Sequence, residues 1–438
     1  MRYCILQSVY EGMDVINKQF VKEKIDSGFN YAVTFAKWLG ISCALGITGG
    51  LVGSFFHMAV NWVTQFRTDD HEWTVFFAPL AGLFIVFLYR ACKIDEETGT
   101  NLIISSIRTN IHVPIIMAPL IFISTVITHL VGGSAGREGA ALQLGGSIGA
   151  KAGDILHLDQ KDMSLAIMCG MSSVFSALFG TPLTATFFAM EVISVGVIYY
   201  AGLVPCIASS LVAYKVSLLL GLKPTAFIIG CELPRLSIVS VTQTGIIAVA
   251  CALISILFCV AMKRSHDLFG IHIKNAYLRI AAGGMILIVL SLICSSGDYN
   301  GAGGQIISAA IEGGTAKPAA FLMKIIFTAI CIGSGFKGGE IVPTFFIGST
   351  FGCIFAPLVG AEPCFGAAIG LVATFCGVVN CPIASIFLSF ELFGSGATIL
   401  FAIACGVSYM LSGYYGLYSS QKIMYSKLKP EYININAK

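Results

Sequence analysis

The feature that most constrains this chain is the recurrence of long apolar blocks. Residues 31–66, 74–92, 112–132, 162–221, 242–262, 277–295, 317–333, 343–358, 363–380 and 382–414 carry almost no charge. A helix needs about 20 apolar residues to cross a bilayer. Inside hydrocarbon, every backbone N–H and C=O must find its partner within the protein, which leaves helices and closed barrels as the options. Blocks of this length and number predict an all-α polytopic membrane protein. The composition agrees: 11% of the residues are charged, against about 25% in soluble domains.

The few basic residues flank the apolar blocks, so the net charge of +3 gives no indication of nucleic-acid binding. Both the "NKQFVKEKID" segment and the tail "SSQKIMYSKLKP" are basic. Basic flanks stay cytoplasmic, which predicts an even number of crossings in the cell membrane and both termini inside. The first 30 residues lack the basic–apolar–small order of a signal peptide. No large soluble domain is expected after Lys429. Fifteen cysteines are scattered without a Cys-x-x-Cys pair, and seven histidines are dispersed. Neither pattern suggests a disulfide framework, a metal site or a cofactor.

The chain also repeats itself. "GSAGREGA" from Gly133 matches "GSGFKGGE" from Gly333, aligning Arg137 with Lys337 and Gly139 with Gly339. "GTPLTATFFAMEV" (180–192) matches "NCPIASIFLSFEL" (380–392), and "NLIISSI" (101–107) resembles "QIISAAI" (305–311). Three matches in one order predict an internal duplication. The expected division is a cytoplasmic segment at 1–30, one transmembrane repeat at 31–225 and a second at 226–438. Duplicated halves with Gly-interrupted helices point to a transporter site at the repeat interface.

Within that site, Arg137 and Glu138 stand in apolar surroundings, where a charge costs about 2.5–3.5 kcal/mol on insertion scales. Gly136 and Gly139 let backbone amides approach a bound ion closely. A helix starting here would offer free N–H groups and a positive dipole end, an anion site. The Glu138 carboxylate can itself occupy such a site and leave when protonated, which makes it both gate and proton carrier. "GSGFKG" satisfies G-x-G-x-x-G, but the apolar sequel lacks the βαβ context of a dinucleotide site.

The GREG segment, "GSGFKGGEIVP", "TPLTATFFAMEV" and the tail "GLYSSQ" resemble, in order and spacing, the CLC family of anion channels and proton-coupled anion transporters. The resemblance spans about residues 40–425. It implies a homodimer of inverted-repeat protomers with broken, re-entrant helices, each with its own anion pathway. It also implies Glu138 as the external gate, backbone amides of Glu340 and Ile341 on the central anion, and Tyr418 as the tail tyrosine reaching that anion.

Departures from the family pattern carry information. "GSGIP" reads "GTNLI", with Thr100 and Asn101; "GREGP" ends in Ala140; and Val192 stands where chloride/proton exchangers have a second glutamate after Glu191. With the acidic "KGGEIVP", these changes resemble the fluoride-exporting branch, in which Glu340 would assist proton movement. Glu191 and Glu391 read as structural helix ends. Asn101 and Thr100 supply N–H and O–H donors for a strongly hydrated anion, and Phe345 and Phe346 could offer positive ring edges. The reading is a fluoride/proton antiporter, with a chloride-selective exchanger or channel as the alternative. The partners expected are fluoride or chloride, protons and the lipid bilayer. An enzyme using Glu138 and Glu340 as paired carboxylates is a third reading, without a nucleophile or cofactor motif to accompany it.

Overall fold

Apolar blocks become helices here, and proline and glycine decide where they stop. The computed structural model describes residues 2–69, 71–94, 99–109, 111–294 and 297–438, with side chains at residue 24 and from residue 27 onward. The first half contains α1 (Arg2–Thr68), α2 (Ala78–Ala91), α3 (Thr100–Arg108), α4 (Met117–Leu130), α5 (Glu138–Ile155), α6 (Gln160–Phe179), α7 (Pro182–Glu191) and α8 (Leu203–Leu219). An extended stretch leads to α9 (Ile238–His272) and α10 (Ala276–Cys294). Then follow α11 (Gly304–Glu312), α12 (Ala320–Gly333), α13 (Ile341–Phe355), α14 (Pro363–Val379), α15 (Pro382–Phe393) and α16 (Thr398–Leu411).

Among the described residues, seven helical segments are long and apolar enough to cross a bilayer, while α4, α12 and α14 to α16 have only 10–17 residues. Fourteen residues of helix span about 21 Å, short of the roughly 30 Å hydrocarbon core. These are the broken helices of an all-α polytopic membrane protein. A small sheet is the departure from the all-α expectation: β1 (Ser194–Val195) pairs parallel with β2 (Lys422–Tyr425), which pairs antiparallel with β3 (Tyr432–Asn436).

The duplication is visible in the backbone, but in a different register from the sequence match. Helices α4 and α12 start at 117 and 320, α5 and α13 at 138 and 341. Their partner glycines follow suit. A Cβ on Gly145 would lie 2.2 Å from the Gly170 carbonyl, and one on Gly348 would lie 2.2 Å from that of Gly370. Residues 117–155 therefore correspond to 320–358, three positions away from the alignment of Arg137 with Lys337. From α6 and α14 onward the offset returns to 200: α6 ends on Gly180 at φ 72°, α14 on Asn380 at φ 58°. The helix-start equivalents are Arg137 with Glu340 and Glu138 with Ile341.

Two self-pairings mark the pseudo-two-fold axis of the inverted repeat. Gly136 and Gly339, equivalent residues, form an antiparallel bridge with N–H···O distances of 2.6 and 2.8 Å. Phe187 and Phe387 stack with centroids 4.6 Å apart and planes 5° from parallel. Around this second point α7 and α15 cap each other. Glu391 accepts from Leu183 N at 2.8 Å, Thr184 N at 2.9 Å and Thr184 Oγ1 at 2.6 Å. Glu191 accepts from Ile383 N at 3.3 Å and Ala384 N at 3.0 Å. Each glutamate sits at the negative end of its own helix and the positive end of its partner's.

Glu391→Ala would leave three donors of the partly buried first turn of α7 without their acceptor. We expect destabilisation of about 3 kcal/mol, read as a lower melting temperature in detergent. Unchanged melting would mean the cap carries no stability.

Candidate functional site

The site forms where the bridged glycines deliver the starts of α5 and α13 to one point. The loops 131–137 and 334–340 have equal length, so both helices begin two residues after their bridged glycine. Their unpaired amides and dipoles converge, an arrangement that favours negative charge. Glu138 supplies that charge. It is fully buried; its Oε2 accepts from Arg137 N at 2.8 Å, and the amides of Glu138 and Val342 lie beside the carboxylate. The other oxygen, Oε1, has no hydrogen-bond partner. Gly136 makes room for this pose, since a Cβ there would fall 2.3 Å from Glu138 Oε2.

Arg137 stabilises the turn from the side. Its guanidinium donates to Asn61 Oδ1 on α1 at 2.6 Å and stands 3.9 Å from Glu138 Oε1. Lys337, its partner in the sequence match, does something else: its ammonium lies over the Tyr89 ring, 4.6 Å from the centroid. The three-residue register shift explains this, because Lys337 belongs to the loop and not to the helix start.

Glu340 is the second carboxylate. Its Oε2 has no hydrogen-bond partner and points into the first turn of α5, 3.2 Å from where a Cβ on Gly139 would stand. Unlike Glu138, Glu340 lines a cavity of about 180 Å³. Thr100, Asn101, Gln143 and Tyr418 share that wall, and His266, Arg279 and Lys337 add basic groups. The Tyr418 hydroxyl is buried without a hydrogen-bond partner. The tail is tied down on both sides of it. Leu417 N donates to Val378 O at 3.0 Å, and Gln421 Nε2 donates to Val379 O at 2.9 Å.

Two small polar groups are fixed in unexpected ways. Asn101 Oδ1 accepts from Ser420 N at 3.0 Å, which assigns the amide orientation and leaves its NH₂ as the group able to donate. Thr100 Oγ1 donates to Gly139 O at 3.2 Å and accepts from Gln143 Nε2 at 3.2 Å. Its proton is thus directed at the backbone and not at the cavity, contrary to the expected O–H donor role.

The aromatic pair also differs from expectation. Phe345 packs on Phe179 and Phe375, with centroids 6.1 and 5.4 Å away. Phe346 faces Tyr299 and lies beneath the Lys324 ammonium. Neither ring lines the cavity; the rotation of α13 turns both into its helix contacts. Ile341 is buried and contributes the first turn of α13. Gln143, Asn61, His266 and Arg279 escaped the sequence reading. Gln143 did carry a signal, as a polar residue four positions after Gly139 in an otherwise apolar run.

The comparisons with known proteins fit this geometry. A family model described as "Voltage gated chloride channel" matches residues 81–413. A "Chloride/fluoride channel protein" of Pseudomonas syringae pv. tomato is 34% identical over 401 residues, covering 90% of this chain and 88% of that protein. A crystal structure of a CLC-type fluoride/proton antiporter superposes with a TM-score of 0.85 at 30% identity, covering 88% of this chain and 98% of the other. A slow cyanobacterial Cl⁻/H⁺ antiporter shares the fold, with a TM-score of 0.74 at 20% identity over 86% and 94% of the two chains.

Proposed function

Since the chain belongs to the voltage gated chloride channel (CLC) family, we propose that it exports fluoride from the cytoplasm in exchange for protons, with Glu138 as the gate. The observation that carries this reading is the Glu138 carboxylate seated on the amides where two helix starts meet. An anion and this carboxylate compete for one place. Protonation removes the attraction between the side chain and the amides, so the gate leaves when it takes a proton and the anion enters. Glu340, between the cavity and the start of α5, is the group we assign to pass protons between Glu138 and the cytoplasmic side.

Fluoride is preferred over chloride for two reasons. The similar proteins include one named for fluoride and chloride and one described as a fluoride/proton antiporter. In addition, Asn101 can offer two N–H donors to a small, strongly hydrated anion, whereas the Thr100 proton is engaged by Gly139 O. The Glu138 carboxylate accepts from a backbone amide at a helix start, the chemistry of an anion site, which favours transport over catalysis by a membrane-embedded enzyme. We read the protein as a homodimer in the cell membrane, with both termini cytoplasmic and one pathway per protomer.

The test is flux from proteoliposomes. Fluoride-loaded vesicles are expected to release fluoride while protons enter, with chloride carried at least about tenfold more slowly. A tenfold ratio corresponds to about 1.4 kcal/mol of discrimination. Chloride flux equal to or above fluoride flux would overturn the fluoride assignment.

A further inference from the structure

A groove of about 480 Å³ runs along the membrane face between α9 and α12. The two helices are pinned beside it. Ser265 Oγ donates to Ala329 O at 2.6 Å, and a Cβ on Gly333 would lie 2.4 Å from Ser265 Oγ. The groove itself is lined by apolar side chains, among them Leu268, Phe269 and Ile326, with Arg264 and His272 as its basic groups.

Its position along α9 gives it meaning. The apolar run of this helix ends at Met262, and the next residues carry Lys263, Arg264, His266, His272, Lys274 and Arg279 against a single acid, Asp267. The groove therefore straddles the boundary between hydrocarbon and headgroups. Basic clusters at the cytoplasmic end of a membrane helix attract anionic lipid. A peptide occupant would need polar groups to pair with its backbone, and the Ser265 hydroxyl is already engaged.

The groove also shares a wall with the ion cavity. Ala329 and Ile330 face the groove, while Ile332 and Gly333, on the same helix, face the cavity. On α9, Arg264 and Ser265 face the groove and His266 faces the cavity.

We propose that the groove between α9 and α12 binds an anionic phospholipid, with an acyl chain along Leu268 and Ile326 and the phosphate at Arg264, and that occupancy braces the cavity wall and raises the transport rate. The binding reading is independent of which anion is carried.

Two variants test it without touching the ion site: Arg264→Gln removes the charge, and Leu268→Trp fills the groove at constant charge. Phosphatidylglycerol binding to detergent-solubilised protein is measured by native mass spectrometry. Ion flux is measured in vesicles of phosphatidylcholine with and without phosphatidylglycerol. The wild type is expected to bind phosphatidylglycerol and to transport faster in its presence. Arg264→Gln should bind about fivefold more weakly, the factor one basic side chain contributes at an anionic surface. Leu268→Trp should lose binding, and both variants should match wild-type flux in pure phosphatidylcholine. Equal lipid binding by all three proteins overturns the site. An equal lipid effect on flux in all three assigns that effect to bulk surface charge and overturns the bracing. A changed oligomeric state in Leu268→Trp, without a change in lipid binding, assigns the groove to a second copy of the chain and overturns the proposal.

Discussion

Glu138→Gln is expected to abolish proton coupling while anion flux continues, with proton uptake falling by about 100-fold or more, the scale for loss of a proton-transfer group. The amide has the shape of the carboxylate but cannot carry a proton through the cycle. It also fits the amide cluster poorly. A carboxylate presents acceptors in every direction, whereas a glutamine presents two donors on one side. The N–H groups of Arg137, Glu138 and Val342 gather around this side chain, and α5 and α13 both direct positive dipole ends there. An NH₂ turned toward them is unfavourable, so the side chain spends more time out of the anion's place. Fluoride and proton fluxes measured in parallel on the same vesicles should therefore separate. Proton uptake equal to wild type would assign Glu138 a purely structural role as a helix cap.

That glutamate was legible in the sequence because a charge among glycines and apolar residues needs a reason. The membrane class and the duplication were legible for the same kind of cause: hydrocarbon imposes long apolar runs, and a repeated fold repeats its breaks. The register of the duplication was not. Gly and Ser recur on both sides of each break, so matching letters slid the second motif by three residues and set Lys337 against Arg137. Only backbone contacts show that Gly136 faces Gly339 across the axis. The orientations of Thr100 and Asn101 were hidden for another reason. Both depend on partners far along the chain, Gln143 for one and Ser420 for the other. The roles of Phe345 and Phe346 depend on how α13 is rotated, which a uniformly apolar helix does not announce through its pattern.

The bridged glycines yield the sharpest contrast between equivalent positions. At Gly339 an added Cβ would lie 2.4 Å from Gly139 N and 2.9 Å from Glu138 N. These are backbone atoms in the first turn of α5, and they cannot step aside without breaking the two-residue bridge. Gly339→Ala is expected to cost about 3 kcal/mol or more, combining overpacking with the weakened bridge, and to yield little folded protein. At Gly136 the nearest obstacle is the end of a side chain, Glu138 Oε2 at 2.3 Å. Gly136→Ala is expected to fold and to push the gate off its amides, so that proton coupling fails as in Glu138→Gln. Gly406→Ala is the control, since nothing lies within 4 Å of the added carbon. Melting temperature separates Gly339→Ala from the control, and parallel proton and fluoride fluxes separate Gly136→Ala from wild type. The asymmetry is that Gly136 meets the Glu138 side chain, which can turn away, whereas Gly339 meets the backbone of the same helix turn, which cannot. If both alanine variants fold and couple normally, the helix starts do not meet as tightly as the bridge requires, and the competition between Glu138 and the anion loses its structural basis.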